Sequence, residues 1–494
     1  MSTTTFYKII PDPEDVANRH SYQYKDGLNV TEEAYLTNVY GRDGSHNFWF
    51  TTLDHIDRYY SQGTILATIQ ASTDADFRIK ESSDGFQSNK IIICERYSLF
   101  DIKTYERLGL DILKNVHIVK FASSMGNVEF LNWWLYSGLK LTYDKYALSL
   151  GSKYNRISVL DWWLHSGLDL VYDKMAMEEA SAASHLGVLD WWLHSGLELK
   201  YDCRAIREAC YHGSIHALDW WLHSGLDLRY DADAIRYATY FGYVDILDWW
   251  LASGLEIIYD EKALEGPLFD DCIKTLNWWL NSKLKMKYDE SAIAYASDSD
   301  QVEILEWWKN SGLELIYDKS AIAYACGSGS IEALDWWLRS GLKMKYGKSA
   351  LTMASSNGQT EVLDWWLKSG LELKYNAKAI DRASEETSKL GHVEVLKWWF
   401  ESGLQLKYTE RAMDQAMRQH YSESIELWIQ SGLDLKYTTD VVEWASASGY
   451  LKILQLWEKA QLPFGSVEKA MDLALKNGHA HIVEWFQTSG FKTQ

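Results

Sequence analysis

Tryptophan is the residue whose spacing most invites a chemical reading. Trp-Trp pairs stand at Trp133/Trp134, Trp162/Trp163, Trp191/Trp192, Trp220/Trp221, Trp249/Trp250, Trp278/Trp279, Trp307/Trp308, Trp336/Trp337 and Trp365/Trp366, each 29 residues after the last. Trp398/Trp399 follows after 33. Aromatic faces at regular intervals can stack on the bases of a single strand. Two features oppose that use. Leu427 and Leu456 replace the first Trp in later copies, and Phe486 replaces the second once. Leucine keeps bulk and apolarity but cannot stack. The net charge of -20 is also the wrong sign for phosphate, which is bound through Lys and Arg. The pairs therefore read as packing between helices, and no nucleic-acid partner is expected.

Other reactive residue types give less. His165, His194 and His223 occupy equivalent positions in consecutive copies. Packed helices lie ~8–10 Å apart, whereas Zn–N bonds are ~2.0–2.1 Å, so three such histidines cannot share one ion. Their next equivalents are Ala252, Asn281 and Asn310. The five cysteines, Cys94, Cys203, Cys210, Cys272 and Cys326, have no metal or redox spacing and read as ordinary buried or half-buried thiols. His46, Asp54, His55 and Cys94 sit in no nucleophile, zinc or phosphate-loop context. No catalytic residue, metal or cofactor is assigned, and a non-enzyme is expected. The start, MSTTTFYKII, lacks a signal-peptide pattern, and no run approaches the ~20 apolar residues of a membrane helix. The expectation is a cytoplasmic monomer without a membrane partner.

The elements that hold the tryptophans follow from one copy, Tyr317 to Lys345. SAIAYA places Ala321 and Ala325 on one helix face, where small residues admit a close neighbour. Asp318 or Ser320 can cap this first helix (A), and Gly327 and Gly329 are expected to break it. The second helix (B), IEALDWWLRSG, puts Ile331, Leu334 and Leu338 on one face with Trp337 beside them, and Gly341 suits its C-cap. The cap glycine and the Tyr nine residues after the second Trp recur along the chain. So do the Ala205/Ala209, Ala234/Ala238, Ala292/Ala296 and Ala350/Ala354 pairs. A repeat of this length predicts a stacked solenoid, mainly α, with about thirteen B helices.

This pattern resembles the ankyrin repeat. SAIAYAC, Gly329 and EALDWWLRSGL align with the TPLHxAA, glycine and EVVxLLLxxGA of that family, over about three-quarters of the chain. Each copy is about four residues short. The deficit falls in the connector, so the ankyrin β-hairpin finger is expected to be stunted. Shortened repeats of this kind look like those of mimivirus-like giant DNA viruses, and YKDGLN, FWFTTLDHI and NKIII are similar to the leader of such proteins. The resemblance implies a protein-binding scaffold acting in the cytoplasm of an infected host.

Residues 1–110 lack the repeat. Strands are expected at Phe48–Phe50, Ile65–Ile69 and Ile91–Ile93, with a short helix through Tyr60 opened by a Thr51/Asp54 capping box. Ser82–Ser88 reads as a loop. This predicts a small α+β domain before a solenoid over 111–494. Irregular copies carry Pro267, extra residues at Glu385–Lys389, Lys283 and Gln461 in place of cap glycines, and Pro463-Phe464 near the end.

In ankyrin proteins the A helix and finger line the concave binding face. The positions that vary there while the scaffold repeats include Glu179, Glu208, Tyr237, Tyr295, Tyr324, Met353, Arg382 and Gln415. Of these Glu208, Tyr237, Tyr295, Tyr324, Met353 and Arg382 are the expected partner-binding residues. Two other functions fit the same chain: an N-terminal effector or enzyme aimed by the repeats, or a structural part of a virus particle.

Overall fold

The computed structural model describes residues 5–12, 22–30, 48–70, 79–82, 85–140, 142–265, 272–385, 391–418, 422–438 and 440–489. Its contacts divide into two compact units, Met1–Ala238 with Asp245–Ile258, and Thr239–Val244 with Tyr259–Gln494.

The first unit begins with two antiparallel sheets. Strands β1 (Phe6–Ile10), β2 (Gly27–Val30), β3 (Phe48–Phe50), β4 (Ile65–Gln70), β5 (Ile79–Ser82), β6 (Gly85–Ser88) and β7 (Lys90–Ser98) form a sheet of order β1-β4-β7-β2 and another of order β3-β6-β5. Alternation drives both. Ile10, Phe48, Phe50, Ala67, Ile69, Ile91 and Ile93 make one apolar core. A bridge between Tyr7 and Thr51 links the sheets. That bridge also explains why the capping box does not form. Thr51 pairs its backbone with Tyr7, and the 3-10 helix Leu53–Gln62 starts one residue later, from Thr52, without a side-chain cap. The expected loop at 82–88 instead holds strand β6, which pairs antiparallel with β5. Its polar letters hid the strands because β6 takes its partners on both edges from backbone groups.

The sheets are followed by the helix Ile102–Leu108, and paired helices begin at Ile118–Met125 and Val128–Ser137. Thr64 Oγ1 meets Met125 Sδ at 3.9 Å and Phe100 packs on Phe130, so the first A and B helices rest on the sheet region.

Within each unit the repeats are A helix, turn, B helix, connector. In the copy read above, A is Lys319–Ser328 and B is Ile331–Arg339. Asp318 caps A by accepting from the Ser320 N–H at 2.7 Å. Gly327 lies inside the helix, and only Gly329 (φ 86°) ends it. In B the buried residues are Ala333, Leu334 and Trp337, while Leu338 is 41% exposed. The large indole takes the inward position and rotates Leu338 out. The Ala pairs are buried, and successive A helices approach closely over their length, whereas successive B helices touch at few positions. Small residues draw the A helices together and tryptophan holds the B helices apart. Among the described residues no connector of the array holds a strand. Lys283 (φ 65°) and Gln461 (φ 55°) keep the left-handed backbone of the glycines they replace. Pro267 and the inserted Glu386–Lys389 lie outside the described residues, as does His46.

Candidate protein-interaction surface

What a repeat can offer a partner is what its scaffold does not use. The scaffold uses both tryptophans, differently. The second Trp of each pair is buried, and in most repeats its indole N–H donates to a small acceptor on the preceding repeat's A helix, whereas Trp134 donates to the Leu139 carbonyl of its own connector. In the first unit Trp163 reaches Ser123 Oγ at 3.1 Å, Trp192 Ser152 at 2.9 Å and Trp221 Ser181 at 2.9 Å. In the second, Trp279 reaches Thr239 at 3.1 Å, Trp337 Ser297 at 2.9 Å, Trp399 Ser355 at 3.0 Å and Trp428 Ser384 at 3.2 Å. Trp366 donates to the Cys326 sulfur at 3.2 Å, and burial pushes that thiol up to about 12. Phe486 breaks the series. It has no N–H, and Ser446 Oγ, in the acceptor position, is left without a partner.

The first Trp is half-buried, so the core reading holds for only one member of the pair. Its N–H meets the carboxylate preceding the Trp pair of the previous repeat: Trp191 to Asp161, Trp220 to Asp190 and Trp249 to Asp219, each at 2.6 Å, and Trp336 to Glu306 and Trp365 to Asp335, each at 2.7 Å. The two rings stand 5.1–5.3 Å apart at 82–90°, as between Trp191 and Trp192, Trp336 and Trp337, and Trp365 and Trp366. An Asp or Glu one residue ahead of most pairs, with Asn132 and Asn277 in the same place for Trp162 and Trp307, was the signal for this outer ladder.

The connector tyrosines form a third. Tyr172 OH donates to the Glu198 carbonyl at 3.1 Å and its ring tilts against Trp192, and Tyr317 does the same with Lys343 and Trp337. Lys200 and Lys345 sit over the Tyr172 and Tyr317 rings at 4.4 and 4.3 Å. These three ladders tie down the B-helix and connector sides of the stack.

The histidines are tied locally. His165, His194 and His223 each place Nδ1 2.8 Å from the carbonyl four residues earlier. Cys210 and Cys326 are buried and Cys203 and Cys272 half-buried, but Cys94 is exposed, because it lies on the outward side of β7.

The A-helix positions stand out from the ladders. In the first unit Glu208 and Tyr237 are half-buried on successive A helices. Glu208 lies 3.8 Å from His212, and Tyr237 packs edge-on against Tyr211 with Arg236 over its ring. In the second unit Tyr295 and Tyr324 take the same register and are 39% and 40% exposed. Met353 and Arg382 line one concavity of about 440 Å³ together with Lys348, Thr352, Asn376 and Lys378. Sequence reasoning missed both lysines, which sit at the helix starts and not among the variable mid-helix positions.

One strongly perturbed group lies elsewhere. Lys8, in β1, is buried and donates from Nζ to the Trp49 carbonyl at 2.7 Å, and desolvation lowers it to about 8. It serves as a strut between β1 and β3.

Paired helices with buried alanines, a left-handed turn residue between A and B, and a short strandless connector decide the architecture. The chain is an ankyrin-like solenoid. It is similar to the uncharacterized protein L696 of Acanthamoeba polyphaga mimivirus, 34% identical over 128 residues, which are 26% of this chain and 40% of that one. It is also similar to R868 of the same virus, named for ankyrin repeats, 28% identical over 137 residues, 26% of this chain and 66% of that one. The solenoid thus spans less than two-thirds of the length of either relative. The human ASB11 ankyrin repeat domain matches at 14% identity with a TM-score of 0.29, over 39% of this chain and 96% of that domain. No family model matches. Among the described residues no helix is long and apolar enough to cross a membrane.

Proposed function

We propose that the solenoid is a non-enzymatic interaction scaffold of a giant virus that binds a protein partner in the host cell through its concave A-helix face. The observation that carries this reading is the division of labour within the repeat. Tryptophan, tyrosine, serine and aspartate are spent on repeat-to-repeat bonds, while the exposed mid-A positions hold Tyr295, Tyr324 and their equivalents. Aromatic and Arg side chains are the usual anchors of protein interfaces. We take residues 1–110 as a separate domain whose place is at the start of the stack.

The test is affinity capture from infected host cells with the full chain, set beside a variant in which Glu208, Tyr237, Tyr295, Tyr324, Met353 and Arg382 are all replaced by Ala. With helix content unchanged by circular dichroism, captured partner is expected to fall by roughly tenfold or more. Undiminished capture by the folded variant would remove the A-helix face from consideration.

A further inference from the structure

Charges on the early A helices of the first unit are paired from one repeat to the next. In the first unit Lys145 Nζ lies 2.6 Å from Asp173, Lys174 pairs with Asp202, and Arg204 is 3.6 Å from Glu178. Six repeats later the same register is occupied by other residues. Lys348 stands where Lys174 does, and Lys378 where Arg204 does. Their acids are gone: Gly347 replaces Asp173, Thr352 replaces Glu178 and Asn376 replaces Asp202. Two more carboxylates of the earlier site, Glu179 and Glu208, become Met353 and Arg382. Asp381 enters in the place of Arg207, but it is buried and both its oxygens accept from Thr409, at 2.8 Å each. Among the described residues Lys348 and Lys378 have no ion pair.

These substitutions coincide with a cavity. Lys348, Thr352, Met353, Asn376, Lys378 and Arg382 line the concavity of about 440 Å³ on the A-helix side. The cations of the first-unit site are retained here and the anions that balance them there are missing. A chain of net charge -20 has ample acid available, so the gap is local.

We propose that this concavity docks an acidic segment of the protein partner, whose carboxylates supply the missing anions while an apolar side chain packs on Met353. The proposal rests on the A-helix reading of the function and narrows it to one partner chemistry. Carboxylate contacts with Lys348 and Lys378 in a recess are screened less than surface pairs.

Fluorescence polarisation on the full chain provides the test, with a labelled peptide of alternating Glu and Leu as probe. A peptide with Lys for Glu and a single-stranded oligonucleotide are the controls. The informative variant is T352E/N376D, which restores the acids of the earlier site at positions where the same fold already carries them. A second variant, G347D, is open sterically, since a Cβ at Gly347 meets nothing within 4 Å. Wild-type protein is expected to bind the Glu peptide, with affinity falling by roughly tenfold in T352E/N376D and further with G347D. The Lys peptide is expected not to bind. No binding of the Glu peptide, equal binding by the folded variants, or tighter binding of the oligonucleotide each overturns the proposal. Partner capture separates this result from the broader reading. If Y295A/Y324A loses the partner and T352E/N376D keeps it, only the acidic dock fails; if the sixfold Ala variant keeps it, the A-helix reading fails as well.

Discussion

A buried indole N–H must find an acceptor, and a buried hydroxyl with no donor opposite it is a cost without return. The inner ladder offers both situations in one molecule. Ser297→Ala strands the Trp337 N–H and is expected to cost ~1–3 kcal/mol. Ser446→Ala removes an oxygen that faces Phe486 and bonds to nothing, and its expected cost is ~0 kcal/mol or slightly negative. Urea denaturation of the two variants against wild type checks the contrast, and equal losses would contradict it. The outer ladder adds a titrating member. Hydrogen bonds from Trp336 and then Asn310 hold Glu306 below the ordinary carboxylate range. A depressed native pKa gives stability that is present above the unfolded value and lost as pH falls through the native one. Stability measured from pH 5 down to 2 should therefore drop less steeply in Glu306→Gln than in wild type. The small acceptors were not legible in the sequence, because Ser, Thr and Cys on an A helix read as filler until their distance to an indole is known.

At the scale of the element, caps decide where helices stop. Most B helices end on glycine in the left-handed region, but Lys283 and Gln461 adopt it with a side chain. That conformation costs ~1–2 kcal/mol for an L-residue, partly offset by the greater freedom glycine has when unfolded. Lys283→Gly and Gln461→Gly are each expected to raise stability by ~0.5–1 kcal/mol, read as a shift in denaturation midpoint at constant slope. Unchanged or lowered midpoints would show that these side chains contribute contacts worth more than the strain. Helix pairs, their caps and the short connector were legible because each copy repeats the same punctuation. Two details were not. Gly327 is helical where a break was read, and Leu338 turns outward, since periodicity alone cannot say which of two adjacent apolar residues, Trp337 or Leu338, wins the core. The N-terminal sheets were half legible: β3, β4 and β7 alternate plainly, whereas β5 and β6 are written in polar letters and are held by backbone pairing.

For the whole molecule, a stack in which each repeat bonds only to its neighbours has stability that is local in character. Trp337→Ala removes a fully buried indole together with its bond to Ser297, at an expected ~3–5 kcal/mol. Hydrogen exchange should quicken in the repeats holding Ser297 and Trp366 and stay slow in β4 and β7. Uniform acceleration across the chain would mean one cooperative unit instead. The interaction face was legible only as a set of variable positions. Which of them share a recess with Lys348 and Lys378 depends on how A helices stack, and no spacing along the chain carries that.

The perpendicular Trp pairs have an optical consequence. Two indoles 5.1–5.3 Å apart at nearly right angles, as at Trp191/Trp192 and Trp365/Trp366, are close enough for their excited states to couple. Repeated along the chain, they give most repeats the same chromophore pair, so that the ultraviolet dichroism reports the geometry within each pair. A ligand that alters that geometry in a few repeats would be seen there without any label.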